Sequence, residues 1–537
     1  MTEKLVKGIE FREGIQRGIN DLADAVKDTL GPMGNTVVIK NAFGEIIITK
    51  DGVSVAEEII FDANTIESIG AELVKNVALK ANNLAGDGTT TATVFAQAIY
   101  NAGVKQLALG VGAAEFNRGI KIAMIDVLKY LEGLKKEVTI ESPELRSVAL
   151  VSCNGDEHVA DTITGIYEEL GINAVISVVP SSGMETTKNI IKGMQFDRGY
   201  LAPYSVTDKT KMKIDFENPF VFLYDGKIST FKQVHAAVEY AGSKNRPVII
   251  VAEDVKDSAL RGLVINHMQG NVRSAIVMSP GYGNKRVERL QDMAVLFGGE
   301  VFNQDSSPEE FNPDHLGEME RAEITNKDTA FIGGYGNQDA IDKRVEFIKE
   351  QLEHKAGNKY EVDILQERLG KISSGVAMIK VGAASKEEGK ELLDRVEDCK
   401  HAVKAALSEG VINGGGVELL FASAKLGSKK FKKGVSDDLI AGYKTLLTAI
   451  QEPFNQILRN ADVIPEVIKA ELFRQPDNLG YNVKRGEYVT SMMDAGIIDP
   501  YKVVRIALES SVSIVGTLLT SNYAVINKDD STTTQFT

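Results

Sequence analysis

The sequence predicts a multidomain protein in which an α/β domain is inserted into a mostly helical one. Its 537 residues exceed what one hydrophobic core organises and suggest roughly three or four units. Helical periodicity dominates the first part of the chain, short apolar strands alternate with helices in the middle, and helical periodicity returns after about residue 386. This order indicates a central domain that interrupts a helical one.

The first predicted helix carries its apolar residues at intervals of three and four, which places them on one helix face: Ile15, Ile19, Leu22 and Val26. The helix should end at the turn that contains Gly31 and Pro32. Two strands, at 37–39 and 46–48, then form a hairpin that leads into Lys50 and Asp51. In isolation, this charged pair is typical of an exposed turn.

A glycine-rich turn, Gly86–Asp87–Gly88, runs into threonines and an apolar helical segment that ends near Leu107. Glycines allow close backbone approach, and the helix start offers unpaired N–H groups, so the turn resembles a phosphate cradle. Asp87 would then hold a magnesium ion that also binds phosphate oxygens. The alternative is an ordinary turn whose threonines cap a helix. No Gly-Lys-Ser or Gly-Lys-Thr follows, so this is not a Walker motif.

The middle of the chain contains short buried-type strands at 175–179, 221–224, 248–251 and 275–278, with helices near 231–241 and 258–269. A helix from about Lys386 to Leu407 follows, and then three adjacent glycines, Gly414–Gly416. These glycines permit close backbone approach, or alternatively form a flexible loop.

Composition and charge exclude several classes of protein. The formal net charge of −14 argues against broad binding to nucleic acid or to anionic membranes. The only cysteines, Cys153 and Cys399, provide no disulfide framework and fit a reducing compartment. The sequence has no signal-peptide core, no run of about 18 apolar residues and no zinc motif. We expect a soluble, cytoplasmic protein without nucleic-acid or membrane partners.

Seven motifs occur in the order found in group I chaperonins, the bacterial and organellar 60 kDa family: Thr29–Pro32, Thr49–Ala56, Gly86–Thr93, Gly193–Leu201, Arg395–Asp398, Gly414–Gly416 and Gly480–Asn482. The chain resembles this family over essentially its whole length. The resemblance implies a mostly helical equatorial domain (1–134 and 410–537), a small α/β intermediate domain (135–191 and 377–409) and an α/β apical domain (192–376).

The resemblance also implies an ATP site in the equatorial domain that uses Mg²⁺ and K⁺. Residues near the phosphates would be Thr29, Leu30, Gly31, Pro32, Lys50, Asp87, Gly88, Thr89, Thr90 and Thr91. Asp87 would bind Mg²⁺, and the backbone of Thr29 and Lys50 would bind K⁺. The adenosine would be lined by Gly415, Asn482 and Asp499. Asp398 would orient or activate the attacking water with help from Asp51, a role that the residue pattern alone does not reveal.

By the same resemblance, an apolar groove on the apical domain would bind non-native polypeptides and the loop of a lid-forming co-chaperonin: Tyr200, Tyr204, His235, Val238, Leu260, Val264 and Ile265. Leu260, Val264 and Ile265 share a helix face, so the alternative is simply the buried face of a helix. Hinges would lie at Gly193, Gly375 and Gly410.

Several positions depart from the family pattern. Ser205 and His235 stand where the groove is usually apolar, Ser374 replaces a hinge glycine, and Val138 replaces a proline. Asn455 and Ile464 replace an Arg and a Glu that commonly form a salt bridge between rings. These differences indicate a divergent member, such as a virus-encoded or secondary copy, which would act in the bacterial cytoplasm or, if virus-encoded, in that of the host.

The leading hypothesis is an ATP-driven chaperonin that assembles with itself into a heptameric ring, single or double, and folds clients in a central cavity. The alternative is a holdase or scaffold that has the same fold and little productive cycle. A small-molecule kinase would fit the phosphate cradle, but the sequence contains no acceptor motif for it.

Overall fold

The computed structural model of the chain describes residues 2–40, 46–59, 61, 65–172, 174–181, 183–209, 211–303, 311–354, 359–373, 375–474 and 480–528. Eighteen helices lie in these ranges: α1 Gly8–Lys27, α2 Gly52–Glu58, α3 Ile66–Ala85, α4 Thr89–Ala108, α5 Ala113–Glu132, α6 Pro143–Ser152, α7 Glu157–Leu170, α8 Lys232–Ser243, α9 Asp257–Met268, α10 Asn284–Phe297, α11 Gln338–His354, α12 Lys359–Ser373, α13 Lys386–Glu409, α14 Val417–Gly427, α15 Asp437–Ala449, α16 Glu452–Arg459, α17 Pro465–Leu472 and α18 Tyr501–Thr520.

The strands of the same ranges are β1 Thr2–Lys7, β2 Val37–Lys40, β3 Ile46–Thr49, β4 Val175–Pro180, β5 Thr187–Ile191, β6 Gly193–Phe196, β7 Ile214–Glu217, β8 Phe220–Asp225, β9 Lys227–Ile228, β10 Val248–Ala252, β11 Asp254–Val255, β12 Ser274–Met278, β13 Val301–Asn303, β14 Gly317–Ile324, β15 Thr329–Gly334, β16 Val376–Val381, β17 Val411–Asn413, β18 Gly480–Asn482, β19 Glu487–Val489, β20 Ile498–Pro500 and β21 Tyr523–Lys528.

The described chain divides into two compact units. The first comprises the described residues of 1–172, 180–186 and 381–537, and the second those of 173–179 and 187–380. The first unit is mostly helical and the second is α/β, so the predicted insertion of an α/β region into a helical one is confirmed. The finer division into three domains, with boundaries near 134, 191, 376 and 409, stays a prediction.

The core of the first unit lies among the long helices α1, α3, α4, α5, α15 and α18. The predicted apolar face of α1 is confirmed, because its four periodic residues are all buried. The periodic apolar residues Ile66, Ile69, Leu73 and Val77 also predict the next helix, α3, which is confirmed, and Ile66 and Val77 are buried as predicted. Ala71 and Val74 are buried, whereas Ile69 and Leu73 are only half-buried.

Glycines explain why part of the buried face of α3 differs from the predicted one. A Cβ on Gly18 would lie 1.8 Å from the carbonyl oxygen of Glu67, and one on Gly70 would lie 2.3 Å from that of Ile15. The two helices α1 and α3 therefore approach so closely that only glycine fits at the crossing. The larger side chains of α3 consequently flank the contact.

Helix α18 is the one helix in the described ranges that is long and apolar enough to cross a membrane. Its most apolar 18-residue stretch has a mean hydropathy of 1.5 and is 67% buried inside the protein. It packs against α3, α4 and α5, which makes it a core helix of the first unit.

The second unit is built on a mixed sheet with the strand order β12-β10-β8-β14-β15-β6. Strands β8, β10 and β12 run parallel, and β14 joins β8 in the antiparallel direction. The predicted middle strands and the helices α8 and α9 are confirmed, because each continuous apolar run is a buried strand. A smaller sheet, β4-β16-β5, lies where the chain enters and leaves this unit.

Candidate functional site

The predicted phosphate turn separates α3 from α4. Gly86 follows α3 with φ 75°, and Gly88 is the N-cap of α4 with φ 80°, a backbone region that strains other residues. A Cβ on Gly88 would lie 2.5 Å from Cγ1 of Val503. Because the N-cap is a glycine, the hypothesis of a threonine cap on α4 is wrong. The first N–H groups of α4 therefore offer an anion site at the positive end of the helix dipole.

The turn after α1 lies beside this helix start. The Thr29 hydroxyl donates to the carbonyl oxygen of Val26 at 2.9 Å, and its Oγ1 lies 3.3 Å from Oγ1 of Thr90. Gly31 has φ 83°, and a Cβ there would lie 3.1 Å from Ile457. The structure thus brings the first and third sequence motifs together, although about sixty residues separate them.

Asn460 fixes the turn after α1, and the sequence analysis missed it. Its side-chain Nδ2 donates to the carbonyl oxygens of Lys27 and Leu30, both at 2.9 Å. Gln456 donates to Oδ1 of Asn460 at 2.7 Å and so fixes the orientation of the amide. A lone Asn near a helix end carries no signal of such a role, because its partners lie more than 400 residues away.

Asp51 is the N-cap of α2. Its Oδ1 accepts from the N–H of Val53 at 3.1 Å, and its Oδ2 accepts from both the N–H and the hydroxyl of Ser54 at 2.8 Å. A Cβ on the next residue, Gly52, would lie 2.3 Å from Oγ1 of Thr90. The cap therefore holds Asp51 and the half-buried Lys50 next to the first turn of α4.

Four carboxylates from distant segments share one electrostatic environment. Burial raises the pKa of Asp87, a hydrogen bond from the Gly88 N–H partly offsets the rise, and the charge of Asp51 adds to it. Burial raises the pKa of Asp398 well above its ordinary value, and the charges of Asp87 and Asp51 add to the shift. Burial and then the charge of Asp87 raise the pKa of Asp499 to about 7. The four groups repel one another, so a cation between them would be strongly favoured.

The donor set fits a magnesium ion that is shared with a phosphate. Among the described residues, no group of three or more His, Cys, Asp or Glu side chains is arranged to hold a metal ion. Mg²⁺ generally binds one or two carboxylates together with substrate phosphates and water, so a closed protein cage is not required. Asp87, next to the free N–H groups of α4, matches that arrangement.

The residues predicted to line the adenosine come from the C-terminal part of the first unit. Strands β17 and β20 pair Ile412 with Asp499. The backbone N–H groups of Gly415 and Gly416 donate to the Asp499 carboxylate and partly offset the rise of its pKa. Gly415 has φ 68°. Asn482 is buried and accepts from the N–H of Arg485 at 3.2 Å.

The sequence profile of the TCP-1/cpn60 chaperonin family matches residues 22–529. The chain belongs to this family. Membership implies an ATP-dependent protein-folding chaperone, and the fold agrees with it. Two crystal structures of the chaperonin gp146 from bacteriophage EL 2 (Pseudomonas aeruginosa), both in the presence of ATP-BeFx, are similar over 98% of this chain and 99% of theirs. Their TM-scores are 0.67 and 0.62, at 21% and 20% sequence identity. The prediction of a divergent chaperonin is confirmed.

The predicted groove residues of this chaperonin differ widely in exposure. Val238 is a buried core residue of the second unit, and Tyr200, Tyr204, Leu260 and Val264 are half-buried. In contrast, Ile265 is 53% exposed, and the side chain of His235 is 57% exposed. The exposed apolar surface of α9 thus consists of Ile265 and Met268, and the inner face of this helix packs on the core.

Ser205 lies inside the second unit and not on the surface. Only 1% of it is exposed, and its hydroxyl has no hydrogen-bond partner among the described residues. The hypothesis that polar side chains face the groove therefore depends on His235. The His235 ring stands edge-on to Phe231, and its Nδ1 lies 3.7 Å from the carboxylate of Glu239.

The three predicted hinge glycines all lie where a side chain would collide with backbone or strand residues. A Cβ would lie 2.5 Å from the carbonyl of Phe331 at Gly193, 2.6 Å from Ile190 at Gly375, and 2.5 Å from the carbonyl of Lys136 at Gly410. Gly410 also has φ 82° at the end of α13. Val138 is buried in the first unit. Ser374 lies outside the described residues.

Two residues stand where chaperonins commonly place a salt bridge between rings. Asn455 is buried, and its Nδ2 donates to the Glu452 carboxylate at 2.9 Å. Ile464 is 64% exposed. Neither side chain carries a charge, so the expected salt bridge cannot form between these two positions.

Proposed function

We propose that this chaperonin captures non-native polypeptides on its second unit and promotes their folding in the cavity of a ring, driven by Mg²⁺- and K⁺-dependent ATP hydrolysis. The observation that carries the proposal is the convergence of Asp51, Asp87, Asp398 and Asp499 beside the N-terminus of α4. The N-terminus of α4 can bind the phosphates of a nucleotide, and the cation that accompanies the nucleotide would relieve the repulsion among the carboxylates.

The phosphates of ATP would bind the N–H groups of Thr89 through Thr91 and the turn of Thr29 to Pro32, while the Gly88 N–H donates to Asp87. Asp87 would hold Mg²⁺, which neutralises negative charge on the phosphate oxygens when bound. The adenosine would lie against Gly415, Asn482 and Asp499. The ATP-BeFx present with the phage EL chaperonin supports nucleotide binding by this fold.

Asp398 would orient the attacking water, and Asp51 would assist. The raised pKa of Asp398 indicates that its carboxylate is unfavourable while the site lacks a cation. A cation held between these carboxylates would lower this pKa and favour the anionic form of Asp398, which accepts a hydrogen bond from water.

K⁺ would bind backbone oxygens of Thr29 and Lys50. A Cβ on Gly34 would lie 2.2 Å from the carbonyl oxygen of Thr29. Glycine at this position therefore leaves space beside an oxygen that a monovalent cation could use. Protein carbonyl oxygens are suitable ligands for such hard cations.

Clients and a lid-forming partner would bind the groove around α8 and α9. Ile265 and Met268 are exposed, and apolar surface of this kind binds unfolded chains. His235 makes one side of the groove polar, so we expect a client range or lid preference that differs from that of apolar grooves. Flexion at Gly193, Gly375 and Gly410 would move this surface, and the ring would act in the cytoplasm.

Refolding of a chemically denatured client enzyme tests the proposal. We expect the wild-type chain to restore client activity only with Mg-ATP, and Asp398→Asn to bind the client and release little active enzyme. Glu387→Gln, an exposed position on the same helix, is the matched control and should behave as wild type. Capture of the client by wild type without any dependence on ATP would favour the holdase function instead.

A further inference from the structure

A histidine of α13 lies against the first residue of the phosphate turn. Gly86 follows α3 with φ 75°, and a Cβ there would lie 2.2 Å from Cγ and 2.5 Å from both Cβ and Nδ1 of His401. The imidazole therefore occupies the space that a side chain at Gly86 would need, and it packs directly on the backbone of the turn. Asp87, the proposed ligand of Mg²⁺, is the next residue of that turn.

The ring of His401 is held at its other edge. Its Nε2 lies 3.4 Å from Oε2 of Glu397, one turn earlier on α13, and the same oxygen lies 2.5 Å from Nζ of Lys400. Although burial opposes it, the charge of Lys400 helps to hold the pKa of Glu397 well below its usual range. Glu397 therefore stays a carboxylate that accepts from Nε2–H, and the edge of the ring that contains Nδ1 faces the turn.

The residue proposed to orient water lies on the same face of α13. Asp398 precedes His401 by three residues, so the two side chains lie on one side of the helix. Helix α13 packs against α3 and β3, which lead into Asp87 and Asp51. After burial, the charge of Asp87 adds to the raised pKa of Asp398, which agrees with this placement. One turn of helix thus connects the His401 contact with Asp398.

A small apolar cluster holds the following turn of α13. Ala405, one turn after the histidine, is buried together with Ala85, Val503 and Ile506. Ala85 directly precedes the phosphate turn, so two consecutive residues of the chain contact two consecutive turns of α13. The cluster and the histidine ring therefore fix the distance between α13 and the phosphate turn.

We propose that His401 is a positioning residue that sets the distance between Asp398 and the phosphate turn, and through it the rate of ATP hydrolysis. This inference rests on the proposed function, in which Asp398 orients the attacking water. The ring contacts the turn from the side of α13, whereas the phosphates would bind the N–H groups of α4. His401 should therefore affect the rate of hydrolysis much more than the affinity for nucleotide.

Steady-state ATP hydrolysis by the full chain tests this role. A displacement of roughly 1 Å at a reacting group lowers a rate by as much as a hundredfold. In His401→Ala the ring atoms that contact the turn are lost, so we expect kcat to fall by about tenfold. The KM for ATP and the affinity for a non-hydrolysable ATP analogue should change by less than about twofold.

A conservative variant separates positioning from a general loss of packing. His401→Asn keeps atoms at the positions of Cβ, Cγ and Nδ1 and should recover most of the rate, although it loses the contact with Glu397. Lys390→Ala, an exposed position on α13, is the control and should behave as wild type.

A double-mutant cycle tests the contact independently of catalysis. Gly86→Ala should lower the thermal unfolding midpoint of the nucleotide-free chain, because the new Cβ collides with the ring and because φ 75° strains any other residue. In a His401→Gly background only the backbone strain remains, so the same substitution should lower the midpoint less. Equal effects in the two backgrounds would overturn the contact.

The kinetic outcomes are equally distinct. A loss of analogue binding in His401→Ala as large as its loss of kcat, or a rate that His401→Asn does not recover, would overturn the positioning role. An unchanged kcat in His401→Ala would overturn it too and would leave the proposed function intact. If the wild-type chain hydrolyses no ATP, the proposed function fails and the effect on hydrolysis fails with it, whereas the double-mutant cycle still decides whether the ring holds the turn.

Discussion

Asp499 illustrates how its surroundings set the chemistry of one residue. Burial, with the nearby charge of Asp87, raises its pKa from 3.8 to about 7. The folded chain therefore binds a proton at Asp499 over a pH range in which the unfolded chain has lost it. The free energy of unfolding must fall as the pH rises from about 4 to about 7, and this loss persists at higher pH.

Asp499→Asn should remove this penalty, because the amide carbonyl can still accept from Gly415 and Gly416. We expect the nucleotide-free variant to be more stable than wild type at pH 8, by up to about 4 kcal/mol, and little different near pH 4. Thermal unfolding midpoints across this pH range measure the effect, with the exposed Asp494→Asn as control. If the unfolding midpoints of wild type and Asp499→Asn changed with pH in parallel, the raised pKa of Asp499 would be contradicted.

Single residues also mark the limit of what the sequence predicts. The turn of Gly86, Asp87 and Gly88 can be recognised as a phosphate site because three consecutive residues supply both the turn and the carboxylate. Asp398 and Asn460 are different, because their roles depend on partners brought close only by packing. Resemblance to a family identified Asp398, whereas Asn460 became visible only when its amide was found on the carbonyls of the turn after α1.

At the scale of elements, a buried ion network joins three helices of the second unit. Arg368 in α12 donates twice to Asp292 in α10, at 2.8 and 3.0 Å, and Arg344 in α11 donates to the same carboxylate at 2.8 Å. Asp292 is 1% exposed and Arg368 is 2% exposed. Since desolvation opposes the attraction, the network is sensitive chiefly to the loss of one partner.

Asp292→Ala would leave Arg368 buried without its main counter-charge. We expect the second unit to lose about 3 to 5 kcal/mol of stability, while nucleotide binding by the first unit persists. Limited proteolysis mapped by mass spectrometry would reveal earlier cleavage within 187–380. Asp339→Ala, an exposed position on α11, is the control. Equal cleavage rates in the two variants would argue against the network as a stabilising element.

The elements themselves follow from the sequence wherever one pattern dominates. The periodic face of α1 and the apolar runs of β8, β10 and β12 predict their own burial. The face of α3 was predicted only in part, because Gly18 and Gly70 permit an unusually close helix crossing that no hydrophobic pattern encodes. The same limit applies to α9, whose apolar residues divide between the core and the surface.

For the whole molecule, assembly into rings is the property that the differences from the chaperonin family pattern affect most. Asn455 and Ile464 cannot form the usual salt bridge between rings. We expect a heptameric ring that pairs with a second ring weakly, in a manner that depends on nucleotide. Light scattering of the purified chain with and without Mg-ATP measures the particle mass. A stable double ring under both conditions would show that other contacts hold the rings, and a monomer under both would contradict a folding chamber.

The central claim is that the converging carboxylates form an Mg-ATP site, and binding of a non-hydrolysable ATP analogue tests it most directly. Calorimetric titration should show tight binding to wild type and to the control Asp494→Asn only when Mg²⁺ is present. Asp87→Asn should weaken this Mg²⁺-dependent binding by about tenfold or more, since a charged ligand of the cation is lost. Equal affinity of Asp87→Asn and wild type, or binding of the analogue that is indifferent to Mg²⁺, would contradict the account.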